Sequence, residues 1–483
     1  MNVLFLNGPF HKEAYSRASR SPAVTKSGTV YYPIFLAYAA GLADRDGDFN
    51  VQLLDAIACR LDQDDLVDEL LDHPPDLVFC ETSTPSIAED LRTVRTLKRA
   101  FGDCKVVMVG THATAAPEEV LASEPAVDAV AVGEFDETSL ELAHALAAGR
   151  SWKEVPGVVL RDGPDTFRTA RRDLIADLDR LPFVSQVYDK FLKPEDYFFS
   201  AAQYPMVMIM TTRGCPFKCS WCLYPQVMHG GRYRKRSPEN VAAEFAWISE
   251  HLPQVREVGI EDDLFTADKK WLRQTCELLI AQGNKLGFWV DTRITLADEE
   301  MKMMKKAGCR LLIAGFESAT QEVLDAIEKG TNADEAERFC ADARRNKLLV
   351  HGCFVFGQPG EDRASLERTL DYAIRLNPDT AQFFPMICYP GTRAYAWARE
   401  NGYLRSDDYR DWLTEAGGHN ATCDLPELPG EEVVEFCDHA RKEFYLRQGY
   451  VFKKIRQSLT NVHEARRNFK AFKRLAKFLV QSP

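Results

Sequence analysis

Short apolar runs alternate with longer amphipathic stretches along the first 150 residues. The runs are largely apolar throughout instead of at every second position, and they span residues 2–6, 51–55, 76–80, 105–110 and 127–133. Strands that are apolar on both faces and are separated by helices are typical of a parallel sheet covered by helices on both sides. The pattern therefore predicts a doubly wound α/β domain over residues 1–150, with ligands beyond the carboxyl ends of its strands.

The same alternation resumes after a connector that spans residues 151–204. Within the connector, GVVLRDG (157–163) predicts a β-hairpin. Further apolar runs, separated by helical patterns, occupy residues 206–210, 255–260, 286–290, 310–315, 348–357 and 380–386. Six β/α units fall short of the about eight of a closed TIM barrel, so we expect a partial (β/α)6 barrel over residues 205–400. Residues 401–483 follow a helical pattern.

The composition narrows the classes of function. The 483-residue chain is too long for one hydrophobic core, and its net charge of −12 argues against nucleic acid as the main partner. The first residues lack the segments of a signal peptide, and no apolar run approaches the about 20 residues that cross a bilayer. The 13 cysteines are spread along the chain. We therefore expect a cytoplasmic protein, for which disulfides are the less favoured use of cysteine.

Three of the cysteines lie close together in TTRGCPFKCSWCLYP (211–225). Cys215, Cys219 and Cys222 follow a predicted strand with the spacing C-x3-C-x2-C, which allows three thiolates to converge on one metal centre. Tetrahedral zinc needs a fourth ligand, and the next histidine, His229, lies seven residues after Cys222. A [4Fe–4S] cluster with only three cysteine ligands leaves one iron open for a substrate or cofactor. Three merely structural cysteines are the alternative.

The cysteine spacing, with the aromatic Trp221 before the third cysteine, resembles the signature of radical S-adenosylmethionine (SAM) enzymes. The resemblance extends over residues 205–400. It implies that the three cysteines bind a [4Fe–4S] cluster whose open iron is chelated by SAM, and that Trp221 lies beside these cofactors. It also implies that one electron cleaves SAM to a 5′-deoxyadenosyl radical, which abstracts hydrogen from the substrate. A one-electron donor such as flavodoxin or ferredoxin is then the expected partner.

The same resemblance places SAM contacts after successive barrel strands. Asp262 or Asp263, where relatives commonly have Gly-Gly-Glu, is expected to neutralise the SAM amino group. Arg293 is expected near the SAM carboxylate, and Glu317 near SAM or its ribose. Gly357 is expected where the backbone approaches the adenine. The alternatives are helix N-capping for either aspartate and a surface position for Arg293.

The N-terminal half resembles the flavodoxin-like cobalamin-binding domain that precedes many radical SAM domains. The resemblance is carried by TSTPS (82–86), GTHATAAPEE (110–119) and VGEFDET (132–138). It implies cobalamin contacts from Thr82, Ser83, Thr84, Gly110, His112, Gly133 and Glu134. No D-x-H-x-x-G motif supplies a histidine for cobalt, and we expect His112 to line the cofactor edge instead. A degenerate domain without cofactor is the alternative, whereas the missing G-x-G-x-x-G argues against nicotinamide.

Two features bear on the substrate. Residues 219–244 closely resemble cobalamin-type radical SAM enzymes that act on hopanoid lipids, notably those that make a cyclitol-ether head group, and more distantly the magnesium-porphyrin cyclases. Residues 441–483 contain twelve Lys and Arg against two Glu, interleaved with aromatic residues. This tail favours either a helix at an anionic membrane surface or a solvated helical cap over the barrel.

The sequence therefore predicts a cobalamin-dependent radical SAM enzyme that acts on an unactivated carbon of a lipid-like or secondary-metabolite substrate. Methyl transfer is the first hypothesis. Ring formation, ring contraction or rearrangement without methyl transfer is the second. A non-catalytic cobalamin or cluster sensor is the third, and the intact cysteine triad argues against it.

Overall fold

A computed structural model describes residues 1–10, 14–25 and 27–460, and two large sheets organise this part of the chain. The strands of the first sheet are β1 (Asn2–Asn7), β2 (Asn50–Asp55), β3 (Leu77–Glu81), β4 (Lys105–Val109), β5 (Ala129–Ala131), β6 (Val158–Asp162) and β7 (Asp165–Arg168). The accompanying helices are α1 (Ile34–Asp46), α2 (Gln63–Leu70), α3 (Ile87–Phe101), α4 (Thr111–Ala115), α5 (Pro117–Ser123) and α6 (Asp136–Ala147).

The first sheet has the strand order β2-β1-β3-β4-β5-β6-β7, and β1 to β5 pair in parallel. Alternate residues of one strand enter two separate apolar clusters. Leu77 and Phe79 of β3 pack with α1 and α6, while Val78 and Cys80 pack with α2 and α3. A strand buried on both faces must be apolar throughout, which confirms the predicted doubly wound domain.

The predicted hairpin of the connector belongs to this first sheet. Strands β6 and β7 form the hairpin, and β6 pairs antiparallel with β5, with Ala129 opposite Leu160 and Ala131 opposite Val158. Strand β5 has only three residues, so the hairpin covers a short edge that would otherwise expose its backbone. The sheet thus continues past residue 150, where the sequence pattern had predicted the end of the domain.

The second sheet is parallel throughout. After α7 (Val184–Phe191), its strands are β8 (Met206–Ile209), β11 (Glu257–Ile260), β12 (Gly287–Thr292), β13 (Cys309–Glu317), β14 (Leu349–Phe356) and β15 (Thr380–Pro385), while β9 (Thr212–Arg213) and β10 (Arg234–Lys235) form a separate small hairpin. The intervening helices are α8 (Leu223–Val227), α9 (Pro238–His251), α10 (Lys269–Ala281), α11 (Asp298–Ala307), α12 (Gln321–Ala326), α13 (Glu335–Arg345), α14 (Arg363–Leu376) and α15 (Arg393–Glu400). The six large strands follow one another in chain order, and β8 and β15 stay unjoined, as predicted for a partial barrel.

The C-terminal helices cover the free edge of the second sheet. They are α16 (Gly430–Tyr445) and α17 (Gln448–Thr460). The hydroxyl of Tyr445 accepts a hydrogen bond from the Ala381 N–H at 2.9 Å and donates one to the Ala381 carbonyl at 2.6 Å, which fastens α16 to β15. Residues 461–483, which hold half of the predicted basic tail, lie outside the described residues. Within the described ranges, no helix is long and apolar enough to span a membrane.

Buried ion pairs join the two halves. Arg234 of β10 contacts both carboxylate oxygens of Glu134, at 2.8 and 2.5 Å, and Arg213 of β9 contacts both oxygens of Asp136, at 2.8 and 2.9 Å. All four side chains are at least nine-tenths buried. Because such charges are costly to bury alone, these pairs fix the small hairpin against the first sheet.

Candidate functional site

A cavity of about 1700 Å³ lies at the carboxyl ends of the second sheet. Its walls come from the cysteine loop, from the segments that follow β11, β12 and β13, from residues 14–31 of the N-terminal half, and from α16 and α17. The cavity brings together the following predicted site residues: Cys215, Cys219, Trp221, Cys222, Asp263, Arg293 and Glu317. It is larger than the about 300–1000 Å³ of an ordinary ligand site, so it has room for more than one ligand.

The conformation of the cysteine loop depends on Gly214 and on the side chain of Gln226. Gly214, directly before Cys215, has φ of +85°, and a Cβ there would collide with the carbonyl of Arg232, so only glycine fits. The Gln226 side chain donates hydrogen bonds to the carbonyls of Cys222, at 2.8 Å, and Ser220, at 3.0 Å. Gly214 and Gln226 together thus define the backbone path of the loop.

The arrangement of the three thiols suits an iron–sulfur cluster better than a single zinc ion. Among the described residues, the three sulfur atoms do not all lie within 4.8 Å of one another. Tetrahedral zinc with Zn–S bonds of about 2.3 Å would need sulfurs about 3.8 Å apart. A larger iron–sulfur cluster suits three cysteines that line one cavity. Burial raises the pKa of the Cys215 and Cys222 thiols, and a cationic metal centre at the loop would favour their thiolate forms.

Of the two aspartates after β11, only Asp263 reaches the cavity. Its carboxylate accepts a hydrogen bond from the Gly214 N–H at 2.7 Å and lies 2.7 Å from Nδ1 of His229. Burial raises the pKa of Asp263, but His229 and Arg20 outweigh the burial and lower this pKa to about 2. Asp263 is therefore an anion beside the cysteine loop.

Asp262 has a structural position. It is fully buried and accepts hydrogen bonds from the Thr211 N–H at 2.6 Å, the Thr211 hydroxyl at 2.5 Å and the Thr212 N–H at 2.9 Å. These contacts use both carboxylate oxygens and anchor the segment after β8. The prediction that Asp262 faces SAM is not supported by this geometry.

Arg293 and Glu317 carry unpaired polar atoms into the cavity. Arg293 Nη1 lies 4.0 Å from Cys219 Sγ, and its guanidinium stacks 3.8 Å from the centre of the Phe217 ring. Glu317 Oε1 accepts a hydrogen bond from Lys329 Nζ at 2.6 Å. The buried atoms Arg293 Nε, Glu317 Oε2 and Trp221 Nε1 have no hydrogen-bond partner. Since buried polar groups are normally paired, this donor and acceptor set fits a polar ligand such as SAM.

Arg20 is a cavity residue that the sequence analysis missed. Its guanidinium lies 3.4 Å from Glu261, 3.4 Å from Asp263 and 3.6 Å from Asp291. Glu261 follows β11, and Asp291 is the penultimate residue of β12. Acidic residues at the ends of adjacent strands were therefore a usable signal for the carboxylates. Nothing in the local sequence marks Arg20, because the contact spans 243 residues.

Gly357 lies away from the cavity. It has φ of +79°, as its place at the end of β14 requires, and a Cβ there would lie 3.2 Å from Val433 of α16. The glycine therefore permits a close helix contact, and the structure gives no support for the predicted approach to adenine.

The predicted cobalamin residues gather at the carboxyl ends of β3 and β4. Thr82, Ser83, Thr84 and His112 are all buried. The Ser83 hydroxyl lies 2.7 Å from the Tyr15 hydroxyl, and His112 Nδ1 lies 3.2 Å from the Thr84 hydroxyl. His112 Nε2 has no partner, and burial lowers the pKa of His112 to about 4, so the imidazole is neutral.

Gly110 and Gly133 shape the same edge, whereas Glu134 is held in an ion pair. Gly110 has φ of +100°, and a Cβ there would lie 2.6 Å from the Thr82 carbonyl. The Gly133 N–H donates to the Thr114 hydroxyl at 3.0 Å. Both carboxylate oxygens of Glu134 contact Arg234, as described above, so this geometry does not support the predicted cobalamin contact. The unpartnered Thr111 hydroxyl and His112 Nε2 nonetheless fit a polar group bound at this edge.

Comparison with known families agrees with both halves. The model of the radical SAM superfamily matches residues 209–373, and the model of the B12-binding domain matches residues 20–143. The first match contains all three loop cysteines, and the second contains Arg20 and the edge formed by β3 and β4.

Relatives span most of the chain. A protein of Pyrococcus horikoshii described as an uncharacterized methyltransferase is 30% identical over 429 residues, which is 89% of this chain and 91% of that protein. The anaerobic magnesium-protoporphyrin IX monomethyl ester cyclase of Rubrivivax gelatinosus is 29% identical over 401 residues, which is 81% of this chain and 68% of the cyclase.

The fold is also that of a solved enzyme. The structure of the radical SAM methyltransferase TsrM from Kitasatospora setae, with cobalamin and a [4Fe–4S] cluster bound, superposes with a TM-score of 0.69 at 17% identity and covers 91% of this chain and 88% of TsrM. These matches confirm the predicted architecture, the predicted enzyme class, and the cluster, SAM and cobalamin as its cofactors. The chain belongs to the cobalamin-binding radical SAM enzymes.

Proposed function

We propose that the protein transfers a methyl group to an unactivated carbon of a lipid-like or secondary-metabolite substrate. One observation carries the proposal: a single cavity is lined by the three loop cysteines and by residues 14–31 of the half that matches the B12-binding domain. The edge assigned to cobalamin does not itself line this cavity, but the hydroxyl of Tyr15, between the cavity residues Ala14 and Ser16, lies 2.7 Å from the Ser83 hydroxyl of that edge. A methyl donor held at that edge is therefore near the radical chemistry of the other half. The relative of P. horikoshii is named a methyltransferase, which agrees with this assignment.

When bound, the cluster and SAM supply a carbon radical that abstracts hydrogen, and cobalamin supplies the methyl group. The chain's own residues bind and orient these groups. Cys215, Cys219 and Cys222 hold the cluster. Asp263 faces the cationic part of SAM, and Arg293 faces its carboxylate.

The remaining SAM contacts come from partly satisfied side chains. Glu317, which keeps one oxygen free of Lys329, accepts hydrogen bonds from the ribose, and Trp221 offers its indole N–H. Cobalamin contacts are assigned to the edge formed by Thr82, Ser83, Thr84, Gly110, His112 and Gly133. Small side chains and positive-φ glycines at that edge let a large cofactor approach the backbone.

Methyl transfer has a readout that needs no acceptor substrate. Anaerobic protein that holds cluster and cobalamin is mixed with SAM and a low-potential reductant. We expect two products, S-adenosylhomocysteine and methylcobalamin. Mass spectrometry detects the first, and the visible spectrum detects the second. Formation of 5′-deoxyadenosine without either product would refute methyl transfer.

Ring formation or rearrangement is the second candidate, because the magnesium-protoporphyrin cyclase is nearly as similar to the chain as the methyltransferase. The two are distinguished once an acceptor is found, since methylation adds about 14 mass units and consumes the methyl group of SAM, whereas cyclisation does neither.

We further propose a one-electron donor such as flavodoxin or ferredoxin as a partner, and a cytoplasmic location with peripheral attachment of the basic C-terminal region to anionic membranes. Support comes from the tail's charge and from the exposed α17 residues Phe452 and Leu459. Truncation at residue 460 removes six of the twelve Lys and Arg residues but keeps Phe452 and Leu459, so it is expected to weaken binding to anionic vesicles at low salt. Unchanged binding would contradict the attachment, and the truncated protein should still cleave SAM.

A further inference from the structure

The cavity has two chemically different ends. The charged groups described above, from Glu261 to Lys329, line the end beside the cysteine loop. The opposite end is lined mainly by apolar side chains from β15, α16 and α17, which include Phe384, Val434, Val451, Ile455 and Leu459. SAM accounts for the charged end. The apolar end is left for the substrate, and its apolar lining indicates the chemical class of that substrate.

Helix α17 lines the mouth of this apolar end. Val451, Ile455 and Leu459 follow one another at intervals of four residues and so share one face of the helix. All three line the cavity, and they are 42%, 52% and 82% exposed. The same side chains therefore contact both the cavity and the solvent, as expected of an entrance.

Two cations near this entrance, Arg441 and Lys454, make contacts within the protein. Arg441 pairs with Asp438 of the same helix and also donates a hydrogen bond to the carbonyl of Phe383. Lys454 Nζ donates to the Gln457 side-chain oxygen at 3.0 Å and lies 5.4 Å from the centre of the Tyr450 ring. Among the residues that the structure describes, Arg441 and Lys454 are thus engaged within the protein, and the apolar side chains of this end are left for the apolar surface of a ligand.

We infer that the substrate presents an extended, uncharged hydrocarbon body that enters past Val451 and Ile455, so that the carbon that reacts lies deep in the cavity and any polar head remains at α17. This rests on the proposed function, which it deepens by naming the substrate class. A small polar substrate would leave the apolar end filled with water, which costs free energy.

All-trans-retinol, a neutral isoprenoid whose fluorescence changes on binding, serves as the probe. It is titrated into the anaerobic holoenzyme with cluster, cobalamin and SAM. We expect saturable binding of one retinol per chain. Val451→Glu and Ile455→Glu should each weaken binding about tenfold, because each places a carboxylate in the path of the hydrocarbon.

Phe452→Glu is the matched control. Phe452 is 71% exposed on the same helix and does not line the cavity, so its variant should bind retinol as the unaltered enzyme does. Far-UV circular dichroism and the urea midpoint of unfolding, unchanged in all three variants, show that they fold. Absence of saturable binding would overturn the inference, and so would an equal loss in all three variants, which indicates adsorption to the helix surface.

The outcome is separable from that of the proposed function. Retinol binding does not require methyl transfer, and methylcobalamin formation does not require retinol. Loss of binding with methylcobalamin intact overturns only the substrate class. Binding that follows the predicted variant pattern, together with absence of methylcobalamin, overturns only the methyl transfer.

Discussion

At the scale of single residues, Glu81 shows how burial alone sets a protonation state. The residue ends β3, is 2% exposed, and has one carboxyl oxygen with no hydrogen-bond partner. Burial raises the pKa of Glu81 from 4.5 to about 8, against the opposing effect of Arg17. The carboxyl group is therefore largely protonated in the folded protein at neutral pH, beside the proposed cobalamin edge.

Glu81 makes the stability of the apoprotein depend on pH. Between about pH 4.5 and 8 the folded chain keeps a proton that the unfolded chain has lost, so the free energy of unfolding falls as the pH rises through this window. The contribution of one such group is up to about 1.4 kcal/mol per pH unit. Glu81→Gln should remove it.

Urea unfolding at several pH values measures this slope. We expect a shallower pH dependence in Glu81→Gln than in the unaltered protein, and no such change in Glu69→Gln, an exposed control on α2. Parallel slopes for Glu81→Gln and the unaltered protein would show that Glu81 is ionised in the folded state.

At the scale of elements, the cysteine loop depends on the backbone of Gly214. In Gly214→Ala, the left-handed backbone conformation at position 214 would cost about 1–2 kcal/mol. The added Cβ would also collide with the Arg232 carbonyl and displace the loop. We expect the variant to fold but to lose most of the iron that the unaltered protein takes up on reconstitution.

Gly231→Ala is the control in the same region. Its Cβ would meet nothing closer than the Cys215 carbonyl at 4.0 Å, so its iron content should match that of the unaltered protein. Full iron binding by Gly214→Ala would mean that the loop tolerates another backbone conformation.

The elements were the most predictable part of the molecule. Runs that are apolar at every position identify buried parallel strands, so both sheets could be inferred from local sequence. The spacing of the three cysteines is itself typical of a metal-binding loop, so the loop could be inferred in the same way. The hairpin of β6 and β7 was also recognised. Its addition to the first sheet was not, because strand pairing depends on which edge is left open and no local pattern records that.

At the scale of the whole molecule, the junction between the halves rests on Glu134 and Arg234. Both side chains are 3% exposed. Glu134→Ala leaves the guanidinium buried without its counterion, and we expect a loss of about 3–5 kcal/mol in the free energy of unfolding, measured with urea.

The double variant with Arg234→Ala should lose clearly less than the sum of the two single variants, because it leaves no buried charge unpaired. A stable Glu134→Ala variant that fails to bind cobalamin would instead restore the cofactor role that the sequence had implied for Glu134.

Contacts at this scale limited the sequence-based prediction of the site. Arg20 lies 243 residues from Asp263, and Glu134 lies 100 residues from Arg234. Side chains that meet across the two halves leave no periodic pattern in the sequence, so Arg20 was missed and the ion pair of Glu134 with Arg234 was not predicted. Asp262 and Asp263 were also not distinguished from the sequence. They are adjacent, but Asp262 binds the segment after β8 and Asp263 reaches the cavity.

The most direct test of the central claim, that the loop cysteines support radical chemistry on SAM, is 5′-deoxyadenosine formation by anaerobically reconstituted protein with SAM and dithionite. We predict about four irons per chain and release of 5′-deoxyadenosine. Cys59→Ala, an exposed cysteine outside the loop, should behave in the same way. Cys219→Ala should form no 5′-deoxyadenosine. Normal SAM cleavage by the Cys219→Ala variant would contradict the claim.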